Sequence, residues 1–418
     1  MLKMKINKSN FYTILFMIVI FLQLYLPSFK ANIFFQIGVL VLYFFIEKST
    51  ISLGFFKVLV PVICIFFLGF LGTLINKYSL YEILKDIFHF LKPILGLLIG
   101  YLFFTKINDF KLFVKTIVIA GLISALIHII LVAFFSRTET VSDLRELGKD
   151  NFLELFALFF LGYYKKFKLE NLFKSKTVFK IIFFVPLLSC VLYFSRTMIV
   201  IAILLFLSVY GFTKITRTTI KIITIFTFLI IIFYAYLFSI KLDRNGNSLE
   251  SFLYKVQIAP SEILKTKIDR ENHKDLWDHW RGYEAKRAFA LMEDNPSSFV
   301  FGCGHGSLVN LKFNAPLTNN KHDRGLRYIS ELHNGYPYIL YKTGVIGLFF
   351  YLVFLIGFYK KIYRPFSMES IFISAIGLMF LFSTLTITGI YNSRDIVVFI
   401  LGALLYFERI VSKNKILE

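Results

Sequence analysis

The sequence predicts an all-α integral membrane protein with about twelve transmembrane helices and one large extracytoplasmic loop before the tenth helix. Three observations predict this class. Hydrophobic residues make up 57% of the 418 residues, charged residues make up only 17%, and the apolar residues fall in long runs between short polar segments. A transmembrane helix needs about 20 mostly apolar residues, and many of these runs approach that length. The composition therefore places the chain in the membrane class before any motif is considered.

Candidate spans lie on both sides of one long polar stretch. Nine precede it, at about 11–28, 32–46, 55–76, 86–104, 113–135, 151–164, 177–194, 197–213 and 219–240. Three follow it, at about 335–359, 369–390 and 395–408. No small-residue cleavage site follows the first span, so we expect this span to be retained rather than removed as a signal peptide. The chain thus divides into 1–240 with helices 1–9, the loop 241–334, and 335–418 with helices 10–12.

The distribution of basic residues predicts the orientation. The formal net charge is +21, but many of the lysines and arginines lie in short loops between spans. We therefore exclude nucleic acid as a partner and expect the lipid bilayer instead. Lys and Arg beside spans stay preferentially on the cytoplasmic side. With the N-terminus inside, the inner segments hold 19 of them and the short outer segments hold 8, which predicts cytoplasmic termini and an extracytoplasmic loop.

Few ionisable groups fall inside the predicted spans. His89 and Lys92 lie in the fourth, His128 in the fifth, and Glu154 near the outer end of the sixth. Such groups are costly in a membrane, so a functional role is the first hypothesis for each. For Glu154, a carboxylate close enough to the interface to reach water is an equally good interpretation. The scarcity of charge and the lack of an internal repeat count mildly against a transporter.

The polar loop has an order of its own. Residues from Leu276 to Asp294 carry apolar side chains at helical spacing, and Pro296 follows the end of this predicted helix. The glycine-rich segment 301–306 lacks the strand-then-helix context of a nucleotide motif, so we interpret it as a flexible turn. We expect 310–327 to be irregular. Because the loop holds five of the seven histidines, it is where an integral membrane enzyme would keep its reacting groups.

Arg196 is the first candidate for a binding residue. Together with Ser195 and Thr197 it forms an outer turn of almost no length between two spans, which fixes it at the outer membrane surface. Arginine is always charged, and its fork of donors suits phosphate. The alternative is an anchor whose side chain snorkels to the interface at a helix end.

Three charged residues share the predicted loop helix. Arg281, Glu284 and Arg287 follow one another at intervals of three, so their side chains occupy neighbouring positions. The plainer interpretation is a surface ion-pair ladder of little energetic value. The sharper interpretation is that one arginine turns toward the membrane and faces an anionic headgroup.

His333 is the candidate base. It lies two residues before a long apolar span, on the same predicted side as Arg196, and Asn334 and Tyr336 follow it. Histidine titrates near neutral pH and can remove a proton from a hydroxyl. A lone loop histidine is usually only a polar residue, but this one has a fixed position at the end of a span.

In these motifs the chain resembles the bacterial O-antigen polymerase and O-antigen ligase superfamily, multispan membrane enzymes with one large extracytoplasmic loop late in the chain. The shared pattern is a Ser-Arg at a span start, a loop arginine, an Asn-Pro, a Gly-x-Gly turn, and a His-Asn before a span with spaced glycines. The matching residues here are Ser195-Arg196, Arg281, Asn295-Pro296, Gly302-Cys303-Gly304, His333-Asn334, Gly344 and Gly347. The tryptophan often found after the loop arginine is Ala285 here, so the choice between Arg281 and Arg287 stays open.

The resemblance implies an inverting, metal-independent glycosyltransferase that needs no cofactor. Its substrate would be an undecaprenyl-diphosphate-linked oligosaccharide at the outer face of the bacterial cytoplasmic membrane. The resemblance implies that His333 is the catalytic base. It implies that the diphosphate is bound by Arg196, Arg281 and Arg287. The supporting residues would be Asn334, Glu284 and Tyr336.

Within this class we favour a polymerase that joins repeat units into O-antigen or capsule. Such enzymes are typically very divergent, and this chain keeps only the skeleton of the pattern. The alternative is a ligase that moves glycan from the same lipid carrier to lipid A-core or another acceptor. A polysaccharide flippase or other transporter ranks lower because the spans carry few charges. A chain-length regulator and a flippase are candidate partners.

Overall fold

The computed structural model describes residues 7–47, 51–135, 152–193 except 168, 170, 171 and 174, 195–269 except 245, 272–315 and 325–417. The first part of the chain forms the helices α1 Lys8–Tyr25, α2 Phe29–Glu47, α3 Leu53–Ile75, α4 Leu80–Ile107, α5 Phe110–Phe135, α6 Leu153–Tyr163, α7 Lys176–Leu192, α8 Arg196–Val209 and α9 Arg217–Ser239. The predicted loop forms α10 Ser248–Leu264, α11 His273–Asp278, α12 Trp280–Glu293, α13 Ser298–Phe301, β1 Val309–Ala315 and β2 Leu326–Ile329. The last part forms α14 Gly335–Tyr359, α15 Met368–Thr386 and α16 Val397–Leu417.

The predicted fold class is confirmed at the level of a helical membrane protein. Among the described residues, eight helices are long and apolar enough to cross a membrane, namely α1 to α5, α9, α14 and α15. Helices α6 and α8 are apolar but shorter. The predicted spans at 177–194 and 395–408 fall on α7 and α16. The number twelve and the side on which the loop lies stay predictions.

Local sequence explains where many of these helices begin. A serine or threonine side chain accepts a backbone N–H of the first turn at the start of several of them, with the caps Ser52, Ser79, Ser175, Ser195, Thr216 and Ser367. Such caps satisfy donors that a helix leaves unpaired. Prolines lie inside α3, α4 and α7, which membrane helices tolerate because neighbouring groups satisfy the freed backbone.

The core of the described helices is built around α4 and α15, which are mostly buried, whereas α9 is almost entirely exposed. Helices α4 and α16 pack closely because Gly100 has no side chain. A Cβ at Gly100 would lie 2.1 Å from the carbonyl oxygen of Phe399. Small residues allow this kind of backbone approach between membrane helices.

The loop region departs from two sequence predictions. The single helix expected over 276–294 is two helices, because His279 leaves helical geometry with φ −120° and ψ 17°. The segment expected to be irregular over 310–327 is an antiparallel hairpin at its ends, with Val309 opposite Ile329. Its residues 316–324 lie outside the described part. A small separate core joins the helices to the hairpin through Leu276, Trp280, Tyr283, Leu311 and Ala315.

Candidate active site

His333 and Glu284 form a close pair, the dyad. The imidazole Nδ1 of His333 lies 3.0 Å from Oε1 and 3.1 Å from Oε2 of Glu284. The backbone N–H of His333 also donates to Glu284 Oε2 at 3.0 Å. The Glu284 side chain is 1% exposed, whereas that of His333 is 60% exposed. A buried carboxylate thus orients a histidine ring that remains open to a ligand.

The pairing determines the protonation of the ring. Burial by the surrounding chain lowers the pKa of His333, but the hydrogen bond to Glu284 and its negative charge outweigh this effect, and the net shift is upward. Since carboxylate oxygens only accept, Nδ1 carries the proton, and Nε2 holds the lone pair in the neutral ring. The positive charge of Arg281, which lies one helical turn before Glu284, also lowers the pKa of His333.

Asn334 and Tyr336 fix the start of α14 beneath the histidine. The Asn334 Oδ1 accepts the backbone N–H of Tyr336 at 3.2 Å as a helix cap. The Tyr336 hydroxyl donates to the carbonyl of Leu381 at 2.7 Å, which ties α14 to α15. Both residues therefore position the backbone that carries His333.

The second part of the site is a carboxylate shared by two arginines. Arg196 donates through Nη2 to Glu262 Oε1 at 2.9 Å, and Arg281 donates through Nη1 to Glu262 Oε2 at 2.7 Å. Arg196 also donates through Nη1 to the carbonyl of Lys255, and Arg281 through Nε to the carbonyl of Thr386 at 3.0 Å. The guanidinium of Arg196 therefore binds α10, and the two arginines converge on one point.

A glycine explains why this convergence is possible. Gly282 follows Arg281 in α12, and a Cβ at Gly282 would lie 2.2 Å from the carbonyl oxygen of Lys265. The missing side chain lets the end of α10 pack against the first turn of α12. Glu262 and Arg281 are thereby brought within hydrogen-bond distance.

Arg287 occupies a different environment. Its Nε donates to the carbonyl of Asn310 at 2.9 Å, which fastens α12 to β1. Of the two loop arginines left open by the sequence, Arg281 is therefore the one that meets Arg196. The surface-ladder interpretation does not describe this helix, because Glu284, between the two arginines in sequence, is buried.

An apolar groove of about 840 Å³ lies at the start of α8, the helix that begins with Arg196. Helices α6, α7 and α8 line it, and α10 contributes Leu249 and Phe252 to the same wall. Ser195, the neighbour of Arg196, lies among the lining residues. The groove thus joins a hydrophobic surface to a cationic site.

The glycine-rich segment is an anchor, and its interpretation as a flexible turn is wrong. Its residues from Gly302 to Ser307 are buried between α3 and α14 or only slightly exposed. The backbone N–H of Gly304 donates to the carbonyl of Lys342 at 3.0 Å, and that of His305 donates to the carbonyl of Gly69 at 3.0 Å. Gly304 has φ +91°, and a Cβ there would lie 2.2 Å from the backbone nitrogen of Thr73.

A buried ion pair completes this anchor. The ammonium of Lys342 binds Asp86 Oδ2, and both side chains are 0% exposed. Asp86 Oδ2 also accepts the backbone N–H of Gly306 at 2.7 Å, and Lys342 donates to the carbonyl of Ser307 at 2.6 Å. Burial lowers the pKa of His305 to about 4, so this histidine is neutral in the anchor. The anchor ties the loop to α4 and α14.

Glu154 lies in a buried hydrogen-bond network, and its interpretation as a group that reaches water is wrong. Its Oε1 accepts from the Ser124 hydroxyl at 2.8 Å and from the Tyr193 hydroxyl at 3.3 Å. His128 stacks on Tyr193 with ring centroids 4.1 Å apart, and its Nδ1 lies 2.6 Å from the Ser189 hydroxyl. These side chains connect α5, α6 and α7.

The sequence identified most members of this site and missed one. It selected His333, Arg196 and Arg281, which are brought near one another, and Glu284 as a supporting residue. It did not select Glu262, because a glutamate near the end of an amphipathic loop helix has no distinguishing local pattern.

Comparison with known proteins supports the resemblance. Residues 181–352, somewhat less than half of the chain, match the family model described as O-antigen ligase. The resemblance to the O-antigen polymerase and ligase superfamily is therefore confirmed over this part of the chain. The matched range includes the dyad and the shared carboxylate with both arginines. No match to a curated protein was found.

Proposed function

We propose that the protein is a membrane glycosyltransferase that polymerises undecaprenyl-diphosphate-linked oligosaccharide repeat units into a surface polysaccharide. The observation that carries this proposal is the convergence of Arg196 and Arg281 on one anionic group, close to the pair of His333 and Glu284. A diphosphate site beside a general base is what transfer from a lipid diphosphate requires.

In the proposed reaction, Arg196 and Arg281 bind the diphosphate of the donor. A hydroxyl of the acceptor sugar attacks the anomeric carbon from the opposite face, and its proton passes to Nε2 of His333. The bond between the anomeric carbon and the diphosphate oxygen breaks with its electron pair, so the leaving lipid diphosphate gains negative charge. The arginines stabilise this charge, and Glu284 stabilises the imidazolium. The configuration at the anomeric carbon is inverted.

The apolar groove supports a lipid-linked donor. It begins at the N-terminus of α8, where Arg196 lies, and its lining is almost entirely hydrophobic. An isoprenoid tail in this groove would place its diphosphate at the arginines. We propose that the donor is bound in this way at the outer face of the cytoplasmic membrane.

A ligase is the second candidate, and one observation favours it. The family model that matches residues 181–352 is described as O-antigen ligase. A ligase would use the same donor, arginines and base, and would differ in the acceptor. The sequence divergence that favours a polymerase does not bear on the geometry of the site.

An assay on the purified protein in detergent tests the proposal. The wild type, His333→Ala and Arg196→Ala are each supplied with the lipid-diphosphate-linked repeat unit and assayed in parallel. We expect a ladder of longer lipid-linked glycans from the wild type and none from either variant. A ladder that survives both substitutions would keep the activity and refute the site. Transfer that occurs only after a second acceptor is added would identify a ligase, and the absence of any transfer by the wild type would favour a transporter.

A further inference from the structure

Glu262 occupies the position where the proposed function requires the donor diphosphate. Its two oxygens are divided between the two arginines, at 2.9 Å from Arg196 and 2.7 Å from Arg281. The carboxylate is 12% exposed, so water screens these contacts only in part. A phosphoryl group offers the same arrangement of two acceptor oxygens on one centre, with more negative charge.

The carboxylate and a diphosphate cannot share this position. A diphosphate that bridges the two guanidinium ions would take the donors that now bind Glu262, Nη2 of Arg196 and Nη1 of Arg281, and the like charges would repel at close range in a partly buried site. Binding of the donor therefore requires Glu262 to leave. After Glu262 has moved away, the hydrogen bonds of Arg196 and Arg281 to backbone carbonyls either remain or are replaced by hydrogen bonds to phosphate oxygens.

Helix α10 is built in a way that allows this movement. None of its described side chains is fully buried, since all are half-buried or exposed. Pro260 lies in its interior and has no N–H, so the carbonyl of Val256 lacks its usual helical partner. The hydroxyl of Tyr234, on α9, donates to that carbonyl at 3.1 Å instead. Along its length the helix is bound to its neighbours by polar contacts, such as Gln257 to the carbonyl of Leu237, and its end packs closely against Gly282.

We propose that Glu262 is a stand-in for the donor diphosphate, which keeps the arginine pair closed until the donor displaces it. This inference rests on the proposed function, because it takes Arg196 and Arg281 as the diphosphate site. Helix α10 also carries Leu249 and Phe252 into the wall of the apolar groove. The helix that closes the arginine pair therefore also forms part of the groove.

The test is the binding of farnesyl diphosphate, a short prenyl diphosphate, to the full chain in detergent. Glu262→Gln keeps the shape of the side chain and removes its charge. Its control is Glu250→Gln on the same helix, where the carboxylate accepts the backbone N–H of Asp243 at 2.9 Å. We expect Glu262→Gln to bind the probe about tenfold more tightly than the wild type, since a competing charge-assisted contact is lost, and Glu250→Gln to bind as the wild type does.

The opposite result would overturn the inference. If Glu262→Gln binds the probe more weakly, or with unchanged affinity, the carboxylate is a permanent positioning group for the arginines. A steady-state assay adds a second readout, because a displaced stand-in predicts a lower donor KM in Glu262→Gln, whereas a positioning group predicts a higher one. Thermal unfolding of each variant shows that the fold is retained.

The failure of the inference and that of the proposed function are distinguishable. If the wild type binds farnesyl diphosphate and Arg281→Ala does not, the proposed diphosphate site stands, and Glu262→Gln alone decides the inference. If the wild type does not bind the probe, or binds it equally well without Arg281, both the diphosphate site and the stand-in are refuted.

Discussion

Replacement of Glu284 by glutamine tests whether this carboxylate orients His333, because it changes only one oxygen of the side chain into an NH₂ group. Glutamine has the size of glutamate, but it turns one acceptor oxygen into a donor amide. If its one acceptor oxygen takes the place of Oε2 and receives the backbone N–H of His333, at 3.0 Å, its NH₂ takes the place of Oε1, 3.0 Å from the ring Nδ1. Its amide also favours the ring tautomer with the proton on Nε2, which cannot act as the base.

The size of the effect follows from these contacts. A hydrogen bond to a charged group contributes about 1.5–3 kcal/mol, and the ring of His333 is 60% exposed, so the lower half of this range applies. Since each 1.36 kcal/mol is a factor of ten in rate, kcat should fall about 13- to 45-fold. Removal of the base in His333→Ala should cost more, about 10²- to 10⁴-fold.

The pH dependence has a definite sign. Glu284 raises the pKa of His333, and the ring must be neutral to accept a proton. The wild-type rate should therefore rise with pH through this raised pKa. In Glu284→Gln the pKa of His333 falls, so the acid limb of the kcat profile should move to lower pH even as the maximum rate declines.

The assay is the initial rate of glycan transfer by purified protein across a pH series. Glu293→Gln is the matched control, because Glu293 lies on the same helix and is exposed. It should leave both the rate and the profile unchanged. A Glu284→Gln protein that keeps its fold, its rate and its acid limb would refute the orienting role, and an active His333→Ala protein would place the base elsewhere.

Three further predictions concern the loop and its anchor. Arg281→Ala should lower kcat/KM for the donor by about a hundredfold. Arg287→Ala loses one hydrogen bond to β1, so it should lower the free energy of unfolding by about 1 kcal/mol and spare the activity of the folded protein. Equal losses of activity in a transfer assay would contradict this assignment. Gly304→Ala should destabilise by several kcal/mol, because its φ is +91° and the added Cβ would lie 2.2 Å from a backbone nitrogen. The control is Gly357→Ala, where an added Cβ would have no atom within 4 Å, so thermal unfolding should show an unchanged midpoint. Similar midpoints for the two alanine variants would argue against the buried turn at Gly304. Lys342→Met should cost about 3–5 kcal/mol, since it leaves a buried carboxylate uncompensated, and an unchanged unfolding midpoint would show that the pair is not buried in solution.

In the loop, the local sequence predicted the presence of a helix and a turn but not how they pack. The helical spacing of apolar residues predicted a helix near 276–294, but the break at His279 depends on the packing of two tryptophan-bearing helices on a hairpin. The glycines at 302, 304 and 306 suggested freedom of movement. In the structure all three have positive φ in a buried turn, where a Cβ would meet the backbone of α14 at Gly302, the backbone of α3 at Gly304, and the side chains of Tyr78 and Ile83 at Gly306.

The sequence by itself determined the membrane class and nominated the residues of the site. Runs of apolar residues must be helical in a bilayer, because backbone groups there have no water to bind. A Ser-Arg at a span start and a His-Asn before a span placed two functional groups at helix ends. These inferences depend on neighbours in the chain, which the sequence displays directly.

Only the tertiary structure decided which groups meet. It chose Arg281 over Arg287, gave His333 a buried carboxylate, and revealed Glu262 between two arginines that are far apart in sequence. Such contacts join α8, α10, α12 and the start of α14. They arise from the packing of backbones, as at Gly282 against Lys265, and that packing is a property of the whole fold rather than of any segment.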